Sequence, residues 1–89
     1  MDVNYSFTKE AELELYRAEC YFRLYQKEDA FLDDLTDQLR IIQAMPKAFQ
    51  VRYKNVRIVN LEHFSYSIHY SIYKNTIYIL RIINQNQDF

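Results

Sequence analysis

The segment Phe64-Ser-Tyr-Ser-Ile-His-Tyr-Ser-Ile72 decides the fold, because its side chains alternate strictly between large apolar and polar types. Alternation with a period of two indicates a β-strand with one buried face and one polar face. The Lys74-Asn75 pair that follows predicts a tight turn. Residues 76–83 then read as a second strand that is apolar at both parities, so we expect it to lie inside the sheet or to be covered on both faces.

Shorter strands precede this ribbon. Residues 49–53 alternate in the same way and lead through a predicted turn at Lys54-Asn55 into a strand over residues 56–61. Residues 62–63 connect that strand to the ribbon. At the N-terminus, residues 3–7 also alternate, which predicts an N-terminal strand.

The stretch from residue 8 to residue 45 has a helical pattern, with Thr8 placed to cap its start. One unbroken helix of this length would span about 55 Å, whereas a compact chain of this size has a radius of gyration of about 12 Å. We therefore expect a break at the polar residues 26–29, which gives an antiparallel helix pair. Asp29 is the predicted cap of the second helix, and Pro46 ends it.

The two predicted helices carry more apolar side chains than one sheet face can cover. We expect most of them to form the core, including one row on the first helix made of Leu13, Tyr16, Cys20 and Leu24. The surplus is aromatic, and an exposed patch of this kind indicates a protein interface; it comprises Tyr21, Phe22, Tyr25 and Phe31.

These elements predict an α+β fold in the order β-α-α-β-β-β-β. The helix hairpin packs on one face of a mostly antiparallel sheet. At 89 residues, we expect residues 1–89 to form a single domain.

Several classes of function are disfavoured by residue usage. The single cysteine, Cys20, permits no intrachain disulfide and no cysteine metal cluster, and we expect it to be buried and inert. The chain has no glycine with which to build a phosphate-binding loop. His63 and His69 are predicted to be surface residues, so we expect no metal, no cofactor and no catalytic residue. No membrane span or signal peptide is recognisable, which predicts a cytoplasmic protein.

Two segments of the second half carry recognisable motifs. Phe49–Arg57 contains a Tyr-Lys-x-x-Arg pattern, and Leu61–Tyr70 matches a Phe-Pro-Tyr-x-Ile-x-Tyr strand except that Ser65 replaces the proline. In this combination the chain resembles the RelE/ParE toxin superfamily, and in particular its ParE-like branch. The tail departs from the pattern, since Asn84, Gln87 and Phe89 stand where the family often has His, Arg and Pro. Ser67 occupies the place of a basic residue in the nucleases of the superfamily.

The resemblance implies the toxin of a type II toxin–antitoxin system, acting by protein–protein binding and neutralised by a cognate antitoxin. Its implied target is DNA gyrase, and no direct DNA binding is expected without the antitoxin. Two alternatives remain: a RelE-like ribosome-dependent mRNA endonuclease, and a decayed, non-toxic module that still binds an antitoxin.

Four basic side chains are the candidate binding residues: Arg52, Lys54, Arg57 and Arg81. The first three flank a predicted turn, and we expect them to share one face with Arg81. Residues 1–45 carry ten acidic and five basic side chains, a net charge of −5, whereas residues 46–89 carry six basic and two acidic ones, a net charge of +4. The basic cluster is interpreted as a docking site for an acidic antitoxin segment, as a charged strand edge, or as a remnant nuclease site.

Overall fold

Five strands and two helices make up the fold, and the computed structural model describes residues 4–85 of the chain. In chain order the elements are β1 (Asn4–Phe7), α1 (Lys9–Leu24), α2 (Glu28–Ala44), β2 (Val51–Tyr53), β3 (Val56–Asn60), β4 (Tyr66–Tyr73) and β5 (Thr76–Asn84). The strands form one sheet in the order β1-β5-β4-β3-β2. β1 runs parallel to β5, and all other neighbours are antiparallel. The predicted α+β fold is confirmed; Val3, the predicted first residue of β1, lies outside the described residues.

Both ends of α1 are fixed by local hydrogen bonds. The Thr8 side chain accepts the N–H of Ala11 at 3.2 Å, which confirms Thr8 as the helix cap. At the other end Gln26 has a φ of 57°, and the N–H of Lys27 donates to the carbonyl of Phe22 at 2.8 Å. A left-handed residue with this bond forms a Schellman motif, which terminates a helix. The predicted break between the helices is therefore confirmed.

The start of α2 differs from the prediction. Its first residue is Glu28, so Asp29 lies within the first turn and the prediction that it caps the helix is wrong. Lys27 occupies the capping position and makes no side-chain capping bond. An ion pair of 2.7 Å between Arg23 and Glu28 spans the connection instead. The helix ends at Ala44, just before Pro46, as predicted.

Two tight turns join the strands β2 to β3 and β4 to β5. Lys54 and Asn55 have φ values of 42° and 65°, and Lys74 and Asn75 have values of 49° and 62°. Two successive residues with positive φ are the signature of a type I′ turn, whose twist matches that of a β-hairpin. Both predicted turns are confirmed.

The core lies between the helix pair and one face of the sheet. Its largest fully buried side chains include Phe31 from α2 and Tyr70 from β4. The hydroxyl of Tyr70 donates to the carbonyl of Pro46 at 2.7 Å, which satisfies its polar atom inside the core. The other members of this cluster include Ala11, Ala18, Phe22, Leu35, Leu39, Ile42, Val59, Ile68, Ile77, Ile79 and Ile82.

The opposite face of β4 is also covered, which corrects two expectations. Ser67 and His69 were predicted to lie on a solvent-exposed polar face, but their relative exposures are 1% and 0%. Ser67 and His69 are buried because β4 is the middle strand of five, and side chains of β3 and β5 flank it on this face too. Ser67, for example, donates its hydroxyl hydrogen to Asn60 of β3 at 2.7 Å. The strand also starts at Tyr66, two residues later than predicted.

Candidate functional site

An apolar row runs along the outward face of α1. We call Leu13, Tyr16, Cys20 and Leu24 the α1 ridge; its three large members are 53%, 62% and 80% exposed, and Cys20 is partly exposed. The sequence predicted this row as core and Cys20 as buried, and both predictions are wrong. The row therefore forms an apolar surface that nothing in the described chain covers.

The physical reason is that α1 offers two apolar stripes and only one can face the sheet. Ala11 and Ala18, which are 0% and 2% exposed, lie on the buried stripe together with Phe22. Small side chains at these positions let the helix backbone approach β5 closely, and Phe22 fills the remaining space by stacking on Phe31 at 4.8 Å between ring centroids. The bulkier stripe is left on the outside.

Two tyrosines extend the exposed apolar surface beside the α1 ridge. Tyr21 and Tyr25 are 52% and 59% exposed, and their ring centroids lie 5.1 Å apart. Of the four aromatic residues predicted to exceed the core, these two are outside, whereas Phe22 and Phe31 are buried. Exposed tyrosines next to exposed leucines are typical of protein interfaces.

The four predicted basic residues do not form one cluster. In the strand register, Arg57 of β3 lies opposite Tyr70, whose ring points into the core. Arg81 of β5 lies opposite His69, which faces the other side of the sheet. Because directly paired residues project from the same face, Arg57 and Arg81 are on opposite faces. The expectation that they share a face is wrong.

Arg81 is held by carboxylates of α1. Its guanidinium lies 2.7 Å from Glu14 and 2.6 Å from Glu10. Hydrogen bonding to Glu14 and, next, its charge raise the pKa of Arg81. The same carboxylate accepts the N–H of Ile82 at 2.9 Å. Arg81 therefore joins α1 to β5, and its positive charge is neutralised within the chain.

The remaining predicted residues lie around the turn between β2 and β3. Arg52 and Lys54 are exposed, the latter in the turn itself. Arg57 is partly buried, and its Nη1 donates to the carbonyl of Phe49. This bond ties the guanidinium to the segment that precedes β2.

His69, which is fully buried, pairs with the exposed Tyr53 on the face opposite the helices. The hydroxyl of Tyr53 lies 2.9 Å from Nδ1 of His69. Burial first, and then the charge of Arg81, hold the pKa of His69 below its ordinary value. His69 is thus a neutral, packed side chain and not the surface histidine that was predicted. His63 is exposed, as predicted, with its Nε2 3.7 Å from a carboxylate oxygen of Glu62.

These positions bear on the chemistry that the site can support. Cleavage of RNA requires several cations at one phosphate, together with groups that move protons. Arg57 and Arg81 project from opposite faces of β3 and β5, with β4 between these strands, and Arg81 is already paired with carboxylates of α1. No group of three or more potential metal ligands occurs within residues 4–85, and none of the helices in that range is long and apolar enough to cross a membrane.

Sequence reasoning missed two carboxylates that organise the fold. Glu14 and Asp34 were counted only toward the negative charge of residues 1–45, but Asp34 is 4% exposed and accepts the N–H groups of Glu62 and His63 at 3.2 and 2.7 Å. Both acids satisfy backbone groups that are distant in the chain. A periodicity argument contains no information about such partners.

Comparisons with known proteins agree with this architecture. A search of curated protein sequences found no significant match. Among solved structures, the chain is similar to one described as the chromosomal ParDE TA system from P. aeruginosa, with a TM-score of 0.78, 22% identity, and coverage of 92% of this chain and 95% of that one. At this identity the likeness shows the fold. A family model for the ParE toxin of the type II toxin–antitoxin system parDE matches residues 5–89, and the chain therefore belongs to the ParE toxin family.

Proposed function

We propose that the chain is the toxin of a type II toxin–antitoxin pair, that it acts in the cytoplasm by binding other proteins, and that a cognate antitoxin neutralises it by covering the α1 ridge. The observation that carries this proposal is the exposure of the ridge. Three large apolar side chains, Leu13, Tyr16 and Leu24, are each more than half exposed on one helix face. A contiguous apolar surface of this kind is costly to leave in water and marks a binding surface.

The spacing of the ridge fits a helical partner. Its members lie at intervals of three and four residues, so they form one continuous row along the helix. An amphipathic helix laid along this row would bury the leucines, and Tyr21 and Tyr25 lie beside it to pack against the partner's flank. Support for an antitoxin as this partner comes from membership of the ParE toxin family.

DNA gyrase is the proposed target. This part of the proposal rests on family membership alone, because one fold supports many functions. Inhibition of gyrase supercoiling by the purified chain, relieved by adding the antitoxin, is the expected result. Unchanged supercoiling at saturating toxin would contradict gyrase as the target and would leave the antitoxin interaction to be tested by itself.

A RelE-like ribosome-dependent mRNA endonuclease is the alternative, and the separation of Arg57 from Arg81 argues against it. A translation assay with Arg57→Ala and Arg81→Ala variants tests the point. Cleavage of mRNA by the wild-type chain that is lost in both variants would favour the nuclease. The third possibility, a decayed module, predicts tight antitoxin binding without any effect on growth.

The decisive experiment combines a growth assay with a binding assay. Expression of the chain alone should arrest growth, and co-expression of the small protein encoded beside it should restore growth. The variants Leu13→Ser and Leu24→Ser should weaken antitoxin binding by about tenfold or more each, because each removes a large apolar contact.

Ile41→Ser provides the matched control. Ile41 is also an exposed apolar residue, at 38%, but it lies on α2, so its substitution should leave antitoxin affinity within about twofold. Equal losses in all three variants, or normal affinity in both ridge variants, would show that the antitoxin binds elsewhere.

A further inference from the structure

The two hairpin turns of the sheet border a cleft that the proposed toxin function does not use. The turns at residues 54–55 and 74–75 lie at the same end of the sheet, because β2 and β4 both run toward that end. Between them lies a cavity of about 400 Å³. None of its lining residues belongs to α1, so it is separate from the α1 ridge.

The lining of the cleft combines positive charge with an apolar wall. Lys47, Arg57 and Lys74 supply three cations, and Val51 and Ile72 supply the apolar side. No acidic residue is among the lining residues within the described part of the chain. The cleft is therefore a positively charged recess with room for a small group or for a few side chains of a partner.

The turn geometry brings polar amides to the rim of the same cleft. The tripeptide Tyr-Lys-Asn occurs at residues 53–55 and again at 73–75, each time in a hairpin turn with two positive φ values. Asn55 and Asn75 both line the cleft. Asparagine tolerates the left-handed conformation better than most residues and carries an N–H₂ donor. Each turn thus places a hydrogen-bond donor beside the cations.

In the part of the chain that the structure describes, the cations of the cleft are not paired with a carboxylate. Across residues 4–85, no ion pair involves Lys47, Arg57 or Lys74, whereas Arg23 and Arg81 are both paired with carboxylates. Arg57 uses one N–H toward the carbonyl of Phe49, and a guanidinium has five. Three unneutralised cations around one recess repel one another, and an anion placed among them would be stabilised.

We propose that this cleft binds the carboxylates of an acidic peptide segment that also carries an apolar side chain, presented by a protein partner. Arg57 would engage a carboxylate through its planar fork of donors, and Lys47 and Lys74 would each contribute a further charged hydrogen bond. The apolar side chain would pack on Val51 and Ile72. The site does not depend on the toxin function, since any partner with this chemistry would fit it.

An acidic peptide fits better than a nucleic acid for two reasons. The apolar wall of Val51 and Ile72 has no use in binding a phosphate backbone but suits an aliphatic side chain. The chain also carries a net charge of −5 over residues 1–45, which repels a long polyanion but tolerates a short acidic segment.

The test is a titration of the full chain with a fluorescent nonapeptide of alternating Glu and Leu, followed by anisotropy at two salt concentrations. Binding should weaken with salt. The variants Lys47→Gln, Arg57→Gln and Lys74→Gln should each raise the dissociation constant by about tenfold, the effect of losing one charge-assisted hydrogen bond. Arg52→Gln, which removes a charge from the same end of the sheet but not from the cleft lining, should change it by less than about threefold.

Three results would overturn the proposal. The first is a peptide that fails to bind. The second is an Arg52→Gln effect as large as that of the cleft variants, which would show diffuse attraction to a basic surface. The third is stronger binding of a nine-nucleotide oligothymidylate, lost in the same cleft variants, which would make the cleft a phosphate site. Thermal unfolding of each variant guards against a folding defect, and the lysine variants keep the test valid if Arg57→Gln unfolds.

Discussion

Glu14 of α1 and Arg81 of β5 form an ion pair of 2.7 Å that links the helix to the strand. The Glu14 side chain is 15% exposed, and one of its oxygens also accepts the N–H of Ile82. β1 pairs with β5 only as far as Ile79, so no strand within residues 4–85 borders this edge of β5 beyond that point. A carboxylate from α1 takes the place of the missing strand there and supplies the backbone acceptor.

The first prediction concerns this link. Glu14→Ala should lower the free energy of unfolding by about 2 to 3 kcal/mol, because it leaves a backbone N–H and a guanidinium without their acceptor. Glu10→Ala should cost less than about 0.5 kcal/mol, because Glu10 is 62% exposed and its pairing with Arg81 is screened by water. Urea unfolding of both variants measures the difference; equal losses would contradict the role assigned to Glu14.

Asp34 carries the second prediction. Asp34→Ala should destabilise the fold by about 2 to 4 kcal/mol, since it removes the acceptor for two backbone N–H groups of the loop between β3 and β4. Asp33→Ala is the matched control, because Asp33 is exposed on the same helix, and its effect should stay within about 0.5 kcal/mol. Hydrogen exchange at Glu62 and His63 should accelerate only in the Asp34 variant.

A pH dependence follows from the burial of His69. The native pKa of His69 is lowered, so below about pH 6.5 the unfolded chain binds a proton that the native chain does not. Stability should therefore fall as the pH decreases from 7 toward 5, with a limiting slope of about 1.4 kcal/mol per pH unit. Of the groups that face His69, Arg81 strengthens this effect, Glu14 opposes it, and Tyr53 contributes the hydrogen bond.

A comparison of two histidine variants shows whether His69 causes the pH dependence of stability. His69→Gln should lose the slope between pH 7 and 5, whereas a variant of the exposed His63, His63→Gln, should keep it. Glu28, whose pKa is lowered by its hydrogen bond to Arg23, acts only below about its ordinary value of 4.5 and so does not interfere in this window. A His69→Gln protein with the wild-type slope would show that another group titrates.

The last prediction concerns the end of α1. Gln26 adopts a φ of 57° at a position where glycine carries no steric penalty. Gln26→Gly should raise the free energy of unfolding by about 1 kcal/mol, because a non-glycine residue in the left-handed region costs about 1 to 2 kcal/mol. Gln26→Ala retains that cost and should be close to neutral. Thermal unfolding of the two variants tests this prediction. If Gln26→Ala stabilised the protein as much as Gln26→Gly, the left-handed conformation of Gln26 would not be the cause.

How far the sequence predicts this fold differs from element to element. The hairpin turns at Lys54-Asn55 and Lys74-Asn75 and the break near Gln26 were predictable, because a turn or a helix end is set by residues adjacent in the chain. The prediction that Asp29 caps α2 was wrong because backbone hydrogen bonds of the Schellman motif already hold the connection between the helices, and α2 begins at Glu28. The prediction that Arg57 and Arg81 share a face of the sheet was also wrong. The face of each residue depends on how β3, β4 and β5 pair, and this pairing includes a bulge near His69.

The sequence by itself determined the order of helices and strands, the sheet-forming ribbon at residues 64–72, and the family, because periodicity and turn chemistry are local properties of the chain. Only the tertiary structure decided which stripe of α1 faces the sheet and which backbone N–H groups donate to the carboxylates of Glu14 and Asp34. Two stripes with similar apolar content compete for one sheet face. The close approach allowed by Ala11 and Ala18 settles that competition in space, and it leaves the α1 ridge outside.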